Sequence, residues 1–234
     1  VLSPGGGVCH CGLTQTNEPP EIPGRFKALE KQVIKVSKYD DLNDPFELLA
    51  MSLEDKVSRS VMQENKRKIN KILRILCFSK RWKNPLLWGH YADKHTGIAL
   101  EFEIPSSHAQ PITYAKDRSS LDLHALMSKG DEAAKLEMFK MYTTKYSDWS
   151  YEEEYRVQFT KEECLTKGGH DFVKLDDNLS ITGLVLGPLN STSKDKIERA
   201  LPAGKEITVT TTRIAFRSFD VTYQKQNPPY KLVG

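Results

Sequence analysis

The chain has 234 residues, of which 38% are hydrophobic and 28% charged, and its formal net charge is +3 at pH 7. This length suits one large domain with a core of its own. The mean hydropathy of −0.51 and the lack of any apolar run of about 18 residues argue against a membrane-spanning helix. The small net charge does not by itself indicate nucleic-acid binding.

Residues 1–24 lack apolar periodicity and are interrupted by glycine and proline, as in Gly5-Gly6-Gly7 and Pro19-Pro20. Such residues mark turns and loops. We therefore predict an irregular lead-in over residues 1–24, followed by a single domain over residues 25–234.

The cysteine pattern predicts neither a disulfide framework nor a four-ligand zinc site. Cys9-His10-Cys11 places adjacent ligands without a second cluster, so no metal is expected. The start at Val1 shows no basic region followed by an apolar segment, as a signal peptide would. The expected location is therefore the cytoplasm, without a membrane partner.

Apolar alternation and short apolar runs predict strands along most of the chain. The predicted strands are 32–38, 73–79, 97–104, 111–116, 154–160, 172–175, 181–186, 207–211 and 216–223. The strand at 111–116 is expected to pair with the strand before it.

Helices are predicted between these strands. Asp44 is the predicted N-cap and Pro45 the first position of a helix that runs, with a break near Asp55, to about Ile72. Further helical segments are 86–92, 119–145 with a break at Gly130, and a short one over 191–201. Runs of strands with helices bunched between them favour an α+β fold.

The stretch 147–157 concentrates carboxylates, aromatic rings and an arginine. If the strand extends back to Glu152, then Glu152, Glu154 and Arg156 share one face. The two glutamates would then lie roughly 6–7 Å apart along the strand. Two interpretations stay open at this point: a carboxylate pair that grips one polar ligand, or an edge strand with solvated ion pairs.

A second polar and aromatic group is Trp88, His90 and Tyr91. His90 and His95 lack the four-residue spacing that puts two metal ligands on one helix face. We expect Trp88, His90, Tyr91 and Trp149 to line one cleft near Glu154. A packed histidine with satisfied nitrogens is the alternative interpretation of His90.

Four markers together resemble the bacterial domain of unknown function 2971. They are Leu42-Asn43-Asp44-Pro45-Phe46-Glu47, the run from Cys77 to Phe102, Trp149 to Arg156, and Gly183 to Gly187. That family is in turn similar to the ADP-ribosyltransferase superfamily, some of whose members act in toxin and phage-defence systems.

The resemblance implies a mainly antiparallel, split sheet that grips NAD. It implies an early His or Arg on a first strand, a Ser or Tyr on a middle strand, and a Glu, often as Glu-x-Glu, on a late strand. Ser79 and Glu152-x-Glu154 match the second and third elements. Prolines in residues 18–26 oppose a first strand there. Two interpretations stay open: Arg25 provides the first element, or the first strand is missing.

The site expected from the resemblance has Glu154 and Glu152 as catalytic carboxylates. Ser79, Arg156, Trp88, His90, Tyr91 and Arg25 are the candidates for holding NAD or a related nucleotide, and no metal takes part. Glu154 would stabilise the oxocarbenium-like centre, and Glu152 would orient or deprotonate a protein or nucleic-acid acceptor. No Gly-x-Gly-x-x-Gly follows a strand, so a Rossmann site is not supported.

Two other functions stay open. One is a non-catalytic nucleotide sensor or interaction module of the same fold. The other is an RNA-acting toxin or nuclease, in which the basic run Lys66-Arg67-Lys68, with Lys71 and Arg74, contacts phosphates. A solvated helix face is the structural interpretation of that run.

Overall fold

The computed structural model describes residues 7–12, 25–119 and 131–234. Within them the helices are α1 Arg25–Lys31, α2 Lys56–Ile72, α3 Pro85–Tyr91, α4 Asp131–Thr143 and α5 Lys194–Arg199. The strands are β1 Gly7–Gly12, β2 Val33–Val36, β3 Leu73–Ser79, β4 Ile98–Pro105, β5 Gln110–Pro111, β6 Thr113–Ala115, β7 Thr144–Tyr146, β8 Glu154–Thr160, β9 Leu165–Lys167, β10 His170–Lys174, β11 Ser180–Leu186, β12 Glu206–Ile214, β13 Val221–Tyr223 and β14 Tyr230–Val233.

The largest sheet has the strand order β13-β12-β11-β4-β1-β3-β8-β5, and β14 also pairs with β12. Its strand pairs are antiparallel except β11 with β12, which is parallel. β1 pairs with β4 over its whole length but meets β3 at one register position, Cys11 opposite Ser79. The described part of the chain is thus α+β with mainly antiparallel sheets, as the sequence predicts.

A small antiparallel sheet, β2-β10-β9, lies against the large one. Ser37, just after β2, exchanges two backbone hydrogen bonds with Ile75 in β3, at 3.0 and 2.9 Å. The Arg74 guanidinium on β3 also donates to the Asp171 carboxylate on β10, at 2.5 Å, and both side chains are buried. Backbone and ion pair together join the two sheets.

The main core packs the large sheet against α1 and α5. Leu29 of α1 and Ile197 of α5 are completely buried beside strand residues such as Leu184. The Phe78 and Phe102 rings meet edge to face at 5.3 Å within it. Burial of these apolar side chains is the main favourable contribution to the fold.

The two helices nearest the site begin at side-chain caps. Asp55 accepts a hydrogen bond from the Ser58 amide at 2.7 Å and starts α2. Asn84 accepts from the Leu86 amide at 2.9 Å, with Pro85 as the first residue of α3. Both residue types satisfy amides that a helix start leaves unpaired.

Several predicted elements are confirmed. The strand at 73–79 has the expected bounds, and those at 97–104, 154–160 and 181–186 differ by one residue at most. The short helix after Asn84 is also confirmed. The predicted helix over 119–145 is confirmed only from residue 131, because residues 120–130 lie outside the described part.

Four predictions are wrong in part. Gly7–Gly12 form a strand where an irregular lead-in was predicted, because pairing with β4 rather than apolar alternation holds it in the sheet. No helix begins at Phe46. Asp44 accepts from the Phe46 amide in a turn, and Leu48 has φ +65°, which ends any helical path before the start of α2.

The strand predicted at 111–116 is divided and has other partners than expected. β5 pairs with β8 and β6 pairs with β7, not with β4. The late strand predicted at 216–223 is limited to Val221–Tyr223, since the preceding residues form a turn.

Asp171→Asn is expected to lower the free energy of unfolding by about 3 kcal/mol, because it leaves the buried Arg74 guanidinium without its counter-charge. Chemical denaturation at pH 7 measures the change. Asp177→Asn, at an exposed position in the turn that follows β10, is the control and should change stability by less than about 0.5 kcal/mol. Equal effects of the two substitutions would contradict the role of the pair.

Candidate functional site

Four segments bring charged side chains to one buried point beside β3. β8 provides Glu154 and Arg156, which point to the same face as alternate residues of a strand. The 3₁₀ turn Ser147–Glu152 provides Glu152, and Glu153 in the left-handed conformation (φ 44°) links it to β8. β7 provides Lys145, and the turn before α2 provides Glu47.

Arg156 is the centre of this group, and only 1% of its surface is exposed. It donates to the Glu154 carboxylate from Nε (2.6 Å) and Nη2 (3.2 Å). It donates to the two Glu47 oxygens at 2.8 and 2.5 Å, and to the Tyr142 carbonyl at 3.0 Å. A guanidinium has five N–H donors, so all of them are used within the protein.

The Lys145 ammonium lies among the three carboxylates. Its Nζ is 2.6 Å from Glu152 Oε2, 3.1 Å from Glu154 Oε2 and 3.9 Å from Glu47 Oε1. The same Nζ lies 4.7 Å from the centre of the Trp149 ring, within cation–π range. With all three carboxylates ionised, three negative charges face two positive ones, and the group carries one net negative charge.

Hydrogen bonds from neutral groups complete the group. The Tyr91 hydroxyl donates to Glu152 Oε1 and is also bonded to the Asn43 side chain. The Tyr114 hydroxyl accepts from the Glu154 amide at 2.7 Å. These contacts hold both glutamates at fixed positions.

The pKa shifts follow from burial and from these partners. Burial by itself raises the pKa of Glu154, but Arg156 and Lys145 outweigh it and hold the pKa at about 2. Burial raises the pKa of Glu152 and of Glu47 above the ordinary value in spite of their cationic partners. Burial lowers the pKa of Lys145, but the surrounding carboxylates raise it above the ordinary value. Glu154 is therefore the carboxylate that stays ionised most firmly.

A cavity of about 400 Å³ opens on this group. Its lining includes Glu47, Glu152, Glu154, Lys145 and Tyr91, together with residues of β3. The volume falls within the range of about 300–1,000 Å³ that small-molecule sites occupy. The charged group therefore faces space that a ligand can enter.

β3 contributes two polar side chains to the cavity. Ser79 is buried, and its hydroxyl donates to the Glu152 carbonyl at 2.6 Å, which fixes the 3₁₀ turn to the sheet. Cys77 is hydrogen-bonded to Glu154, and burial raises the pKa of its thiol. A thiol in this state stays protonated and is a poor nucleophile.

The residues predicted from the sequence reach the site to different degrees. Glu152, Glu154, Ser79 and Tyr91 line the cavity together. Trp88 does not, because it is completely buried in a separate apolar cluster and its Nε1 donates to the Trp82 carbonyl. The polar indole N–H of Trp88 suggests a ligand contact, but the ring is buried by apolar packing and the N–H is used within the protein.

His90 and Trp149 lie at the edge of the site. His90 is exposed, and its ring centre is 6.1 Å from that of Tyr151. Trp149 is also 6.1 Å from Tyr151 and is connected to the carboxylates through Lys145. The predicted cleft thus contains Tyr91 with Trp149 beside it, but not Trp88.

Arg156 and Arg25 are the two arginines predicted to hold the nucleotide. Arg156 has no donor left for a ligand, because Glu47, Glu154 and Tyr142 take all of them. Arg25 is the first residue of α1, and its side chain lies outside the described part of the structure.

Sequence reasoning missed Glu47 and Lys145. Glu47 stands in one of the markers that carry the resemblance, yet the marker was interpreted as a structural turn. Lys145 follows a helix and has no local pattern around it. Its role depends on carboxylates that the chain brings back from two other segments.

The remaining candidate sites are weaker. Among the described residues, no group of three or more His, Cys, Asp or Glu side chains could hold a metal ion. In the basic run of α2, Lys66 pairs with Asp40 and Arg67 with Glu64. In the part of the chain that is described, no helix is long and apolar enough to span a membrane.

The fold and site define an α+β protein with a buried cluster of carboxylates and cationic side chains that opens on a cavity. Residues 87–157 match the model of a family described as a protein of unknown function (DUF2971). The match includes Tyr91, Lys145 and the Glu152–Arg156 segment, and it supports the resemblance to that family. No curated protein and no solved structure matches the chain.

Lys145→Met is expected to lower the free energy of unfolding by about 3 kcal/mol at pH 7, because buried carboxylates lose a shared cation. Lys145 lowers the pKa of Glu152 and of Glu154. Removal of Lys145 raises the pKa of both carboxylates, so the variant protonates them at a higher pH than the unsubstituted protein does. The protonated carboxyls no longer carry the cost of burying a charge. The deficit against the unsubstituted protein should therefore shrink as the pH falls from 7 towards about 4.

Denaturation curves at several pH values test this expectation. Lys140→Met is the matched control, since Lys140 is exposed and pairs with Glu137 on the surface of α4. A deficit that is the same at every pH would argue for lost packing rather than for lost charge.

Proposed function

We propose that the cavity binds NAD or a related nucleotide and that the protein transfers ADP-ribose from it, with Glu154 as the essential carboxylate. The observation that carries the proposal is the alignment of three strands. Cys11 of β1 is opposite Ser79 of β3, and Ser79 is opposite Glu154 of β8. A first, a middle and a late strand thus share one row of register pairs, which supports the proposal because the resemblance to ADP-ribosyltransferases implies a site on three such strands.

β1 is a candidate for the first strand that the resemblance implies, and this supports the same proposal. It comes before residues 18–26, where prolines oppose a strand, and it pairs with β4 over its whole length. Its sequence contains a histidine, His10, which is the residue type that the resemblance implies for the first element.

The charges of the site suit the reaction. Cleavage breaks the bond between ribose C1′ and the nicotinamide nitrogen, and the bonding electrons leave with nicotinamide. The positive charge that develops on the ribose needs a fixed anion near it. Glu154, with a pKa of about 2, stays ionised at any physiological pH.

Glu152 has the properties of a base for the acceptor. Its raised pKa brings it closer to neutral pH than an exposed glutamate, which favours proton transfer. The acceptor forms a bond to C1′ and gives its proton to the Glu152 carboxylate. With water as the acceptor the product is free ADP-ribose, and the protein acts as an NAD glycohydrolase. A protein or a nucleic acid is the alternative acceptor.

A non-catalytic nucleotide sensor is the second candidate, and one observation favours it. Both oxygens of Glu154 already accept charge-assisted hydrogen bonds from Arg156 and Lys145. A carboxylate held in this way also serves a purely structural role. A role in toxin or phage-defence systems is an expectation of the resemblance alone.

The expected result for Glu154→Gln is a loss of nicotinamide release by a factor of about 10²–10³, because the amide keeps the size but not the charge. Glu152→Gln should reduce transfer to an acceptor more than hydrolysis. Release of labelled nicotinamide from NAD and binding by calorimetry measure these effects. Glu153→Gln is the matched control, since Glu153 lies between them but pairs with Arg81 at the surface.

Three outcomes separate the candidates. Absence of binding and of turnover at millimolar NAD in the unsubstituted protein would end the proposal. Binding without turnover would favour the sensor. Turnover that Glu154→Gln leaves unchanged would move the chemistry to another residue.

A further inference from the structure

The cavity has two walls of different charge. The wall described above has three carboxylates, and its cation, Lys145, is bound to them. A second part of the cavity lining, here called the second wall, comes from the small sheet and its end and includes Lys35, Ser37, His170 and Phe172. The second wall has no carboxylate from β2 or β10 among its cavity residues.

The strand register explains why these residues share a wall. Lys35 of β2 is directly opposite Phe172 of β10. Side chains two positions apart on a strand lie on the same face, so Ser37 and His170 are on the face of Lys35 and Phe172. The other face includes Asp171, which is bound to the buried Arg74 of the large sheet. The ion pair between Asp171 and Arg74 therefore uses the face of the small sheet that Lys35 does not share, and Lys35 is left to line the cavity.

Lys35 is the cavity cation that the carboxylates do not bind. It is half-buried, and it takes part in none of the ion pairs among the described residues. Asp41 also lines the cavity, but one of its oxygens accepts from the Lys38 amide at 3.2 Å. The ammonium of Lys35 is thus available to a ligand, whereas the guanidinium of Arg156 is not.

We propose that Lys35, with the Ser37 hydroxyl and the His170 imidazole, forms a subsite for the phosphates of a nucleoside diphosphate. An ammonium, a hydroxyl and an imidazole N–H are donors that suit phosphate oxygens. In a ligand of this kind the diphosphate lies in the middle, and a ribose with a cationic or polar substituent lies at one end. Such a ligand would place its phosphates at the small sheet and its ribose at Glu154. This inference deepens the proposed function and rests on it for the identity of the ligand.

Calorimetric titration with inorganic pyrophosphate and with ADP tests the subsite. Lys35→Met should weaken binding of both probes about ten- to hundredfold, as expected for the loss of hydrogen bonds to a charged donor. Lys35→Arg keeps the charge and should retain most of the affinity. Lys167→Met, an exposed lysine on β9 outside the cavity walls, is the control and should bind as the unsubstituted protein does.

The outcomes distinguish this inference from the proposed function. Lys35-dependent binding of pyrophosphate and ADP without any nicotinamide release supports the subsite and removes the transferase. Nicotinamide release with a KM for NAD that Lys35→Met leaves unchanged removes the subsite and keeps the transferase. Absence of binding by either probe at millimolar concentration, or equal binding by Lys35→Met, overturns the subsite. Thermal unfolding of each variant shows whether it has folded.

Discussion

The saturated guanidinium of Arg156 is the constraint on which the site depends. A buried cation without partners is very costly, so the surrounding segments must meet it with the right groups in the right places. Glu47 arrives from a turn more than a hundred residues earlier, and Glu154 from the same strand. Lys145 in turn bridges Glu154 and Glu152, and hydrogen bonds from neutral side chains also hold Glu152. The charged part of the cavity lining is therefore assembled around Arg156 by contacts from several segments.

A cluster of this kind does little for stability when compared with an apolar filling of the same volume. Its value lies in what it places at a cavity: ionised oxygens at fixed positions, away from bulk water, where electrostatic effects are strong. The apolar cluster beside it contributes to stability instead. Leu87 and Trp88 of α3 are buried in this cluster, and their packing holds Tyr91, on the same helix, against Glu152.

The sequence predicts the strands better than the site. Alternation and short apolar runs identify β3, β4 and β8, because the buried positions of one strand follow each other closely in the sequence. Glu152 and Glu154 are also found, since they are close together in the chain. Glu47 and Lys145 are not, because a long-range ion pair leaves no local pattern. Trp88 is placed wrongly for a related reason: the pattern cannot tell which face of a short helix is covered. β1 has no apolar alternation of its own and is a strand because it pairs with β4.

The ladder between β3 and β8 determines which part of the cavity wall is held firmly. It has seven register pairs, from Leu73 opposite Thr160 to Ser79 opposite Glu154. The backbone of Glu154 is thus part of the ladder, whereas Glu152 lies before it, in the 3₁₀ turn that precedes β8. Opening a turn breaks fewer hydrogen bonds than opening a strand ladder. A ligand that displaces the turn therefore moves one carboxylate and leaves the strand that carries the other in place.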